Sequence, residues 1–174
     1  MLPELGHFSL ILALCVALAL GVVPLAGVWR ADETWMRLAR PAAQAMFFFV
    51  WCAWLALLFS FVNDDFSVVN VAQNSNSLLP LPYKMAAVWG SHEGSMLLWI
   101  LMLAGWSLAV SVFSKHLPIE MMARVLAILG WVAVGFIAFT LLTSNPFERW
   151  VPAALDGRDL NPLLQDPGMV FHPP

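Results

Sequence analysis

Charge is scarce in this chain, and its absence is patterned. Only eight Lys and Arg and eleven Asp and Glu occur among 174 residues. They cluster so as to leave four windows without a charged side chain, between Glu4 and Arg30, Arg40 and Asp64, Glu93 and Lys115, and Arg124 and Glu148. Together with 61% hydrophobic residues and a mean hydropathy of +0.79, this excludes a soluble domain. No basic run is present and the net charge is −3, which argues against a nucleic-acid partner. Within the windows the ionisable groups are confined to the edges, at His7 and the His92-Glu93 pair. A proton or ion pump needs such groups near mid-membrane, so transport finds no support. Cysteine is equally sparse: Cys15 and Cys52 stand alone in apolar windows, without CxxC spacing or a neighbouring His, and read as inert buried thiols. HExxH, a phosphate-cradling glycine loop, a serine nucleophile elbow and a metal-spaced Cys/His cluster are all missing, as are internal repeats.

What is present is four spans. A helix rising ~1.5 Å per residue needs roughly 20 apolar residues to cross the ~30 Å hydrocarbon layer, and irregular backbone cannot face lipid. The windows therefore predict an all-α, polytopic membrane helix bundle with helices near 6–29, 42–62, 91–113 and 121–143, an outer loop over 63–90 and a tail over 144–174. The first window is preceded by MLPELGH, which has an acid and no Lys or Arg, so it reads as a retained span and not a cleaved signal. Arg30, Arg37 and Arg40 in the first connection, with Lys115 and Arg124 around the third, outnumber Lys84, Arg149 and Arg158 on the other side. By the positive-inside rule the N-terminus, the outer loop and the tail face outward, which in a bacterium is the periplasm. Trp29, Trp35, Trp89 and Trp150 sit near predicted helix ends, where indoles suit the lipid boundary.

The polar chemistry falls on the two outer segments. In the first, LPLP should hold the chain extended, because each proline fixes its own φ and restricts its predecessor. VWGSHEGSMLLW then brings Trp89, His92 and Glu93 to the start of the third span. Ser91 can cap that helix and Glu93 then meets the positive end of its dipole, a structural account that competes with a functional one. His92 and Glu93 point about 100° apart and do not share a metal on their own. His92, Trp99 and Trp106 recur every seven residues along one helix face, a stripe that reads first as helix packing. In the tail, Asp156-Gly157 and Asp166-Pro167-Gly168 are turn chemistry. Met169 to Phe171 offer an apolar foothold before His172, whose backbone is stiffened by the prolines that follow.

NSNSLLPLPYKMAAVWGSHEGSMLLW, followed after one more span by DGRDLNPLLQDPGMVFHPP, resembles the N-terminal part of the CcmF family, the membrane subunit of the bacterial cytochrome c haem lyase; MLPELGHFSLILAL is similar to that family's start. Nitrite-reductase-linked paralogues read similarly. The resemblance implies a multi-pass protein of the bacterial inner membrane that takes haem from the chaperone CcmE and, with CcmH and CcmI, joins it to an apocytochrome c. It implies that His172 is an axial ligand of the haem iron, so that the cofactor is haem and the metal its iron. Trp89, His92 and Glu93 are left with a haem-surface or a structural role, and no catalytic residue is assigned. The family's tryptophan-rich haem segment, second outer histidine and two membrane histidines are not matched in these residues, so the chain is expected to be a fragment or a split gene product, inactive alone. The competing expectation is a non-catalytic membrane scaffold or transporter fragment whose outer loops bind partner proteins.

Overall fold

The computed structural model describes residues 1–166 and 168. His172 and the apolar foothold before it lie outside the described residues. In chain order the elements are α1 (Leu2–Arg30), α2 (Glu33–Arg37), α3 (Ala39–Val62), α4 (Val69–Asn74), α5 (Leu81–Ala87), α6 (His92–Phe113), α7 (Ile119–Thr143) and a 3-10 turn (Pro162–Gln165). The architecture is all-helical: among the described residues extended pairing is limited to one isolated bridge, Val68 with Arg149. Four helical stretches, Leu2–Arg30, Glu33–Val62, His92–Phe113 and Ile119–Thr143, are long and apolar enough to cross a membrane. The helix ends follow local chemistry. Both α1 and α3 close with a residue in the left-handed conformation, Ala31 at φ 54° and Asp64 at φ 53°. In each case the next N–H reaches five residues back, Asp32 to the Gly27 carbonyl at 2.9 Å and Asp65 to the Ser60 carbonyl at 3.0 Å. That pattern satisfies carbonyls a helix end otherwise leaves open. Asp32 then caps α2, its carboxylate accepting the Thr34 N–H at 2.8 Å.

The described chain packs as two units. One comprises residues 9–52 and 100–139. Its buried side chains are small or aliphatic, among them Ala13, Ala17 and Leu20 of α1, Ala43 and Met46 of α3, Ala104 of α6 and Ala127 and Ile137 of α7. In lipid there is no hydrophobic drive between helices, so close backbone approach through small residues takes its place. Gly130 shows this: a Cβ there would lie 3.0 Å from the Gly21 nitrogen and from Leu20, while Trp131 packs over Gly21.

The other unit comprises residues 1–8, 53–99 and 140 onward. It is built like a soluble core, with Trp54, Leu57 and Phe61 of α3 buried alongside Val68, Val71, Val88, Leu97, Phe147 and Leu160. Three expectations change in the structure. The LPLP segment is not held extended: Pro80 is, at φ −59° and ψ 144°, but Leu81 opens α5 with Pro82 in its first turn. A proline there forfeits an N–H that has no helical partner anyway, so it starts the helix. The tail is joined to the loop, the Val69 N–H donating to the Glu148 carbonyl at 2.9 Å and the Trp150 N–H to the Ser67 carbonyl at 2.8 Å. The stripe on α6 is not an internal packing seam: His92 is exposed, and Trp99 and Trp106 are 53% and 71% exposed. Cys15 is likewise exposed, not buried, since only 33% of its span's apolar window is covered by this chain.

Candidate functional site

The residues of WGSHEGS form the junction between α5 and α6. Ser91 caps α6, its hydroxyl accepting the Gly94 N–H at 3.0 Å while its carbonyl takes the Ser95 N–H at 3.0 Å. The Ser95 hydroxyl reaches back to the Trp89 carbonyl at 2.7 Å. Gly94 is required by space, because a Cβ at that position would fall on the Val88 carbonyl. Gly90 faces Leu164 of the tail, which sits 2.7 Å from where its Cβ would be. Trp89 is half-buried and stacked on Trp54, with ring centroids 6.4 Å apart and planes 21° from parallel. Glu93 lies in the first turn of α6, where its charge meets the helix dipole favourably.

Around this junction the outer loop and the tail are tied together by polar bonds that local sequence patterns do not announce. Asp156 accepts the Ser77 N–H at 3.0 Å, the Ser77 hydroxyl at 2.8 Å and the Gly157 N–H at 2.8 Å. These donors, the Ser77 N–H foremost, hold its carboxyl below the ordinary range. Asn76 donates to the Asp159 carboxylate, and the Arg158 N–H donates to the Ala72 carbonyl at 2.8 Å. Gly157 presses so closely on Ser75 that a Cβ would meet the Ser75 carbonyl. DGRD is thus a latch as well as a turn. The DG turn was legible in the sequence; its partner was not.

Two charged groups complete the unit. Lys84 is 9% exposed at its side chain, and its ammonium donates to both Asp64 oxygens at 2.6 and 2.5 Å. Arg149 gathers Glu4 at 3.1 Å, Asp65 at 3.3 Å and the Ser67 hydroxyl. His7 approaches the Asn145 side-chain oxygen at 3.4 Å. Of the predicted site residues, Trp89, His92 and Glu93 therefore fall together at the junction, Trp89 and Glu93 within its architecture and His92 at its surface. His172 lies outside the described residues. The arrangement provides a surface whose loop and tail are fixed to one another as far as the latch and the 3-10 turn.

Residues 89–174 match the family described as Cytochrome C assembly protein. Over its whole length the chain is 58% identical to the cytochrome c-type biogenesis protein CcmF of Pseudomonas aeruginosa and 54% identical to that of Escherichia coli, covering 27% of each. It also resembles the solved structure titled Cytochrome c Heme Lyase CcmF, with a TM-score of 0.80 and 30% identity over 85% of this chain and 25% of that one. The chain belongs to the CcmF family. It corresponds to the N-terminal portion and spans about a quarter of the length of the CcmF relatives it matches. The match to the family model begins at Trp89, so it takes in Ser91, Gly94 and the Asp156 latch while α1 to α5 lie before it.

Proposed function

We propose that this chain is the N-terminal portion of a CcmF-type haem lyase, a multi-pass inner-membrane protein whose outer unit faces the periplasm and helps present haem for covalent attachment to apocytochrome c. The observation that carries this reading is likeness over 85% of the chain, at a TM-score of 0.80, to a solved protein named as a haem lyase. Haem, when bound, supplies vinyl groups for thioether formation with the two thiols of a CxxCH motif and an iron that accepts an axial imidazole. His172 would hold that iron. The donor chemistry fits, since a neutral imidazole is a good iron ligand, and the outer unit leaves Leu78, Leu81, Met85, Val151 and Leu155 exposed as apolar surface for a macrocycle.

The contribution of the remaining residues is positional. A ligand gains from being held before its metal arrives, and the Asp156 and Asp159 bonds to the outer loop fix the segment that leads toward His172. His92, exposed at the start of α6, is the second candidate to meet haem or a partner on this face, with Trp89 and Glu93 as its support. The haem donor in this reading is the chaperone CcmE, with CcmH and CcmI delivering the apocytochrome. The test is His172→Ala in the full-length protein. The variant should accumulate normally and fail to attach haem to an apocytochrome, with partial rescue by free imidazole filling the vacated iron position. Normal thioether formation by that variant removes His172 from the reading.

A further inference from the structure

The unit of residues 9–52 and 100–139 carries a cavity that the haem chemistry does not use. It measures about 270 Å³ and is lined by Arg37, Arg40, Lys115, Leu117, Ile119 and Met122. Three of these six are cations and none is a carboxylate. Arg40 is held rigidly by neutral acceptors, its Nε–H donating to the Met122 sulfur at 2.8 Å and a terminal N–H to the Ser114 carbonyl at 3.1 Å. A guanidinium has five N–H donors, so three are left, together with the full charge. Among the described residues neither Arg40 nor Lys115 pairs with an acid. Arg37 does, with Glu33 at 3.0 Å, but both side chains are well exposed and such a pair exchanges partners at little cost. Glu120, the acid nearest along the chain to the lining residue Ile119, is engaged by Arg124 at 3.1 Å. Ile119 also opens α7, a 25-residue helix whose first N–H groups carry its positive end.

We propose that this cavity takes the phosphate of an anionic lipid headgroup. A hydrogen-bonded guanidinium with three spare donors beside an exposed ammonium is suited to phosphate oxygens, the first by directed bonds and the second as a point charge. The volume falls just below the ~300–1,000 Å³ of sites for drug-sized ligands, which suits one headgroup. Apolar Leu117, Ile119 and Met122 line the remainder, and the site sits where α3 and α7 begin and α6 ends, beside the apolar surface of three helices able to span a bilayer. A phosphate attached to acyl chains satisfies both halves of that lining; a free phosphate satisfies one.

The experiment is titration of the detergent-solubilised chain with phosphatidylglycerol or phosphatidylcholine, read by native mass spectrometry. The parent chain should bind phosphatidylglycerol in preference to phosphatidylcholine. Lys115→Gln should weaken phosphatidylglycerol binding roughly fivefold, and Lys115→Gln with Arg40→Gln about 25-fold, with phosphatidylcholine unchanged. Lys115 is exposed, so the single variant keeps the test decisive even where loss of the Arg40 bonds disturbs the helix ends. Equal binding of the two lipids, or an unchanged preference in Lys115→Gln, overturns the proposal. Displacement of phosphatidylglycerol by millimolar inorganic phosphate overturns it in favour of a soluble anion.

Discussion

Lys84 is the one basic residue of the outer loop, and it is nearly buried. Taking an ammonium out of water costs several kcal/mol unless a carboxylate and its hydrogen bonds replace the lost solvent. Asp64 supplies both oxygens, and it does so from a left-handed backbone position that ends α3. Asp and Asn both tolerate that conformation, so Asp64→Asn removes the charge without disturbing the helix end. The variant should lose about 1–3 kcal/mol of stability, less than the ~3–5 kcal/mol for breaking a fully buried pair because Asp64 is partly open to solvent. Adding Lys84→Met should recover most of the loss, since no uncompensated charge then remains. Thermal unfolding in detergent followed by circular dichroism checks both, and a single variant as stable as its parent would show the pair to be screened. At this scale the sequence was partly legible: the charges at 64 and 84 could be seen, but not that they meet.

Helix starts and stops were the more readable features because their chemistry is local. Ser91 was expected to cap α6 and does, and a cap of this kind contributes about 1 kcal/mol. The LPLP segment reads as extended in sequence yet begins a helix, because proline suits both an extended segment and a first helical turn. Gly94 was not singled out, since its necessity comes from Val88, which turns its carbonyl into the space a side chain would fill. Gly94→Ala should therefore push the α5–α6 junction apart, straining the Ser91 cap and the bond from Ser95 to Trp89, at a cost of about 2 kcal/mol or more. Gly135→Ala is the control. A Cβ there meets nothing within 4 Å, so in mid-helix it should be neutral or stabilise by ~0.5–1 kcal/mol. Equal effects of the two substitutions on thermal unfolding would show that the junction relaxes freely.

Across the whole molecule, the four spans were legible because lipid leaves the backbone no choice but helix, and uncharged windows mark where that constraint applies. The joining of outer loop and tail was not. Its bonds connect residues 79 (Ser77 and Asp156) to 86 (Ala72 and Arg158) positions apart, and short-range patterns carry no signal for such pairings. The expectation for His172 came from family resemblance, and that residue lies outside the described chain. Orientation rests on the excess of basic residues at one end of the helices, and it is testable with cysteines on a background carrying Cys15→Ser and Cys52→Ser. Leu78 and Leu155 are almost fully exposed in the loop and the tail, while His116 lies exposed between α6 and α7. Leu78→Cys and Leu155→Cys should react with an impermeant thiol reagent applied from the periplasm, and His116→Cys should react only after the membrane is opened. The first two sites test more than sidedness: one is next to Ser77 and the other next to Asp156, so the latch requires that both label from the same face. Reaction of only one of them would separate loop from tail, whereas reaction of His116→Cys alone would invert the chain and leave His172 on the wrong side to meet periplasmic haem.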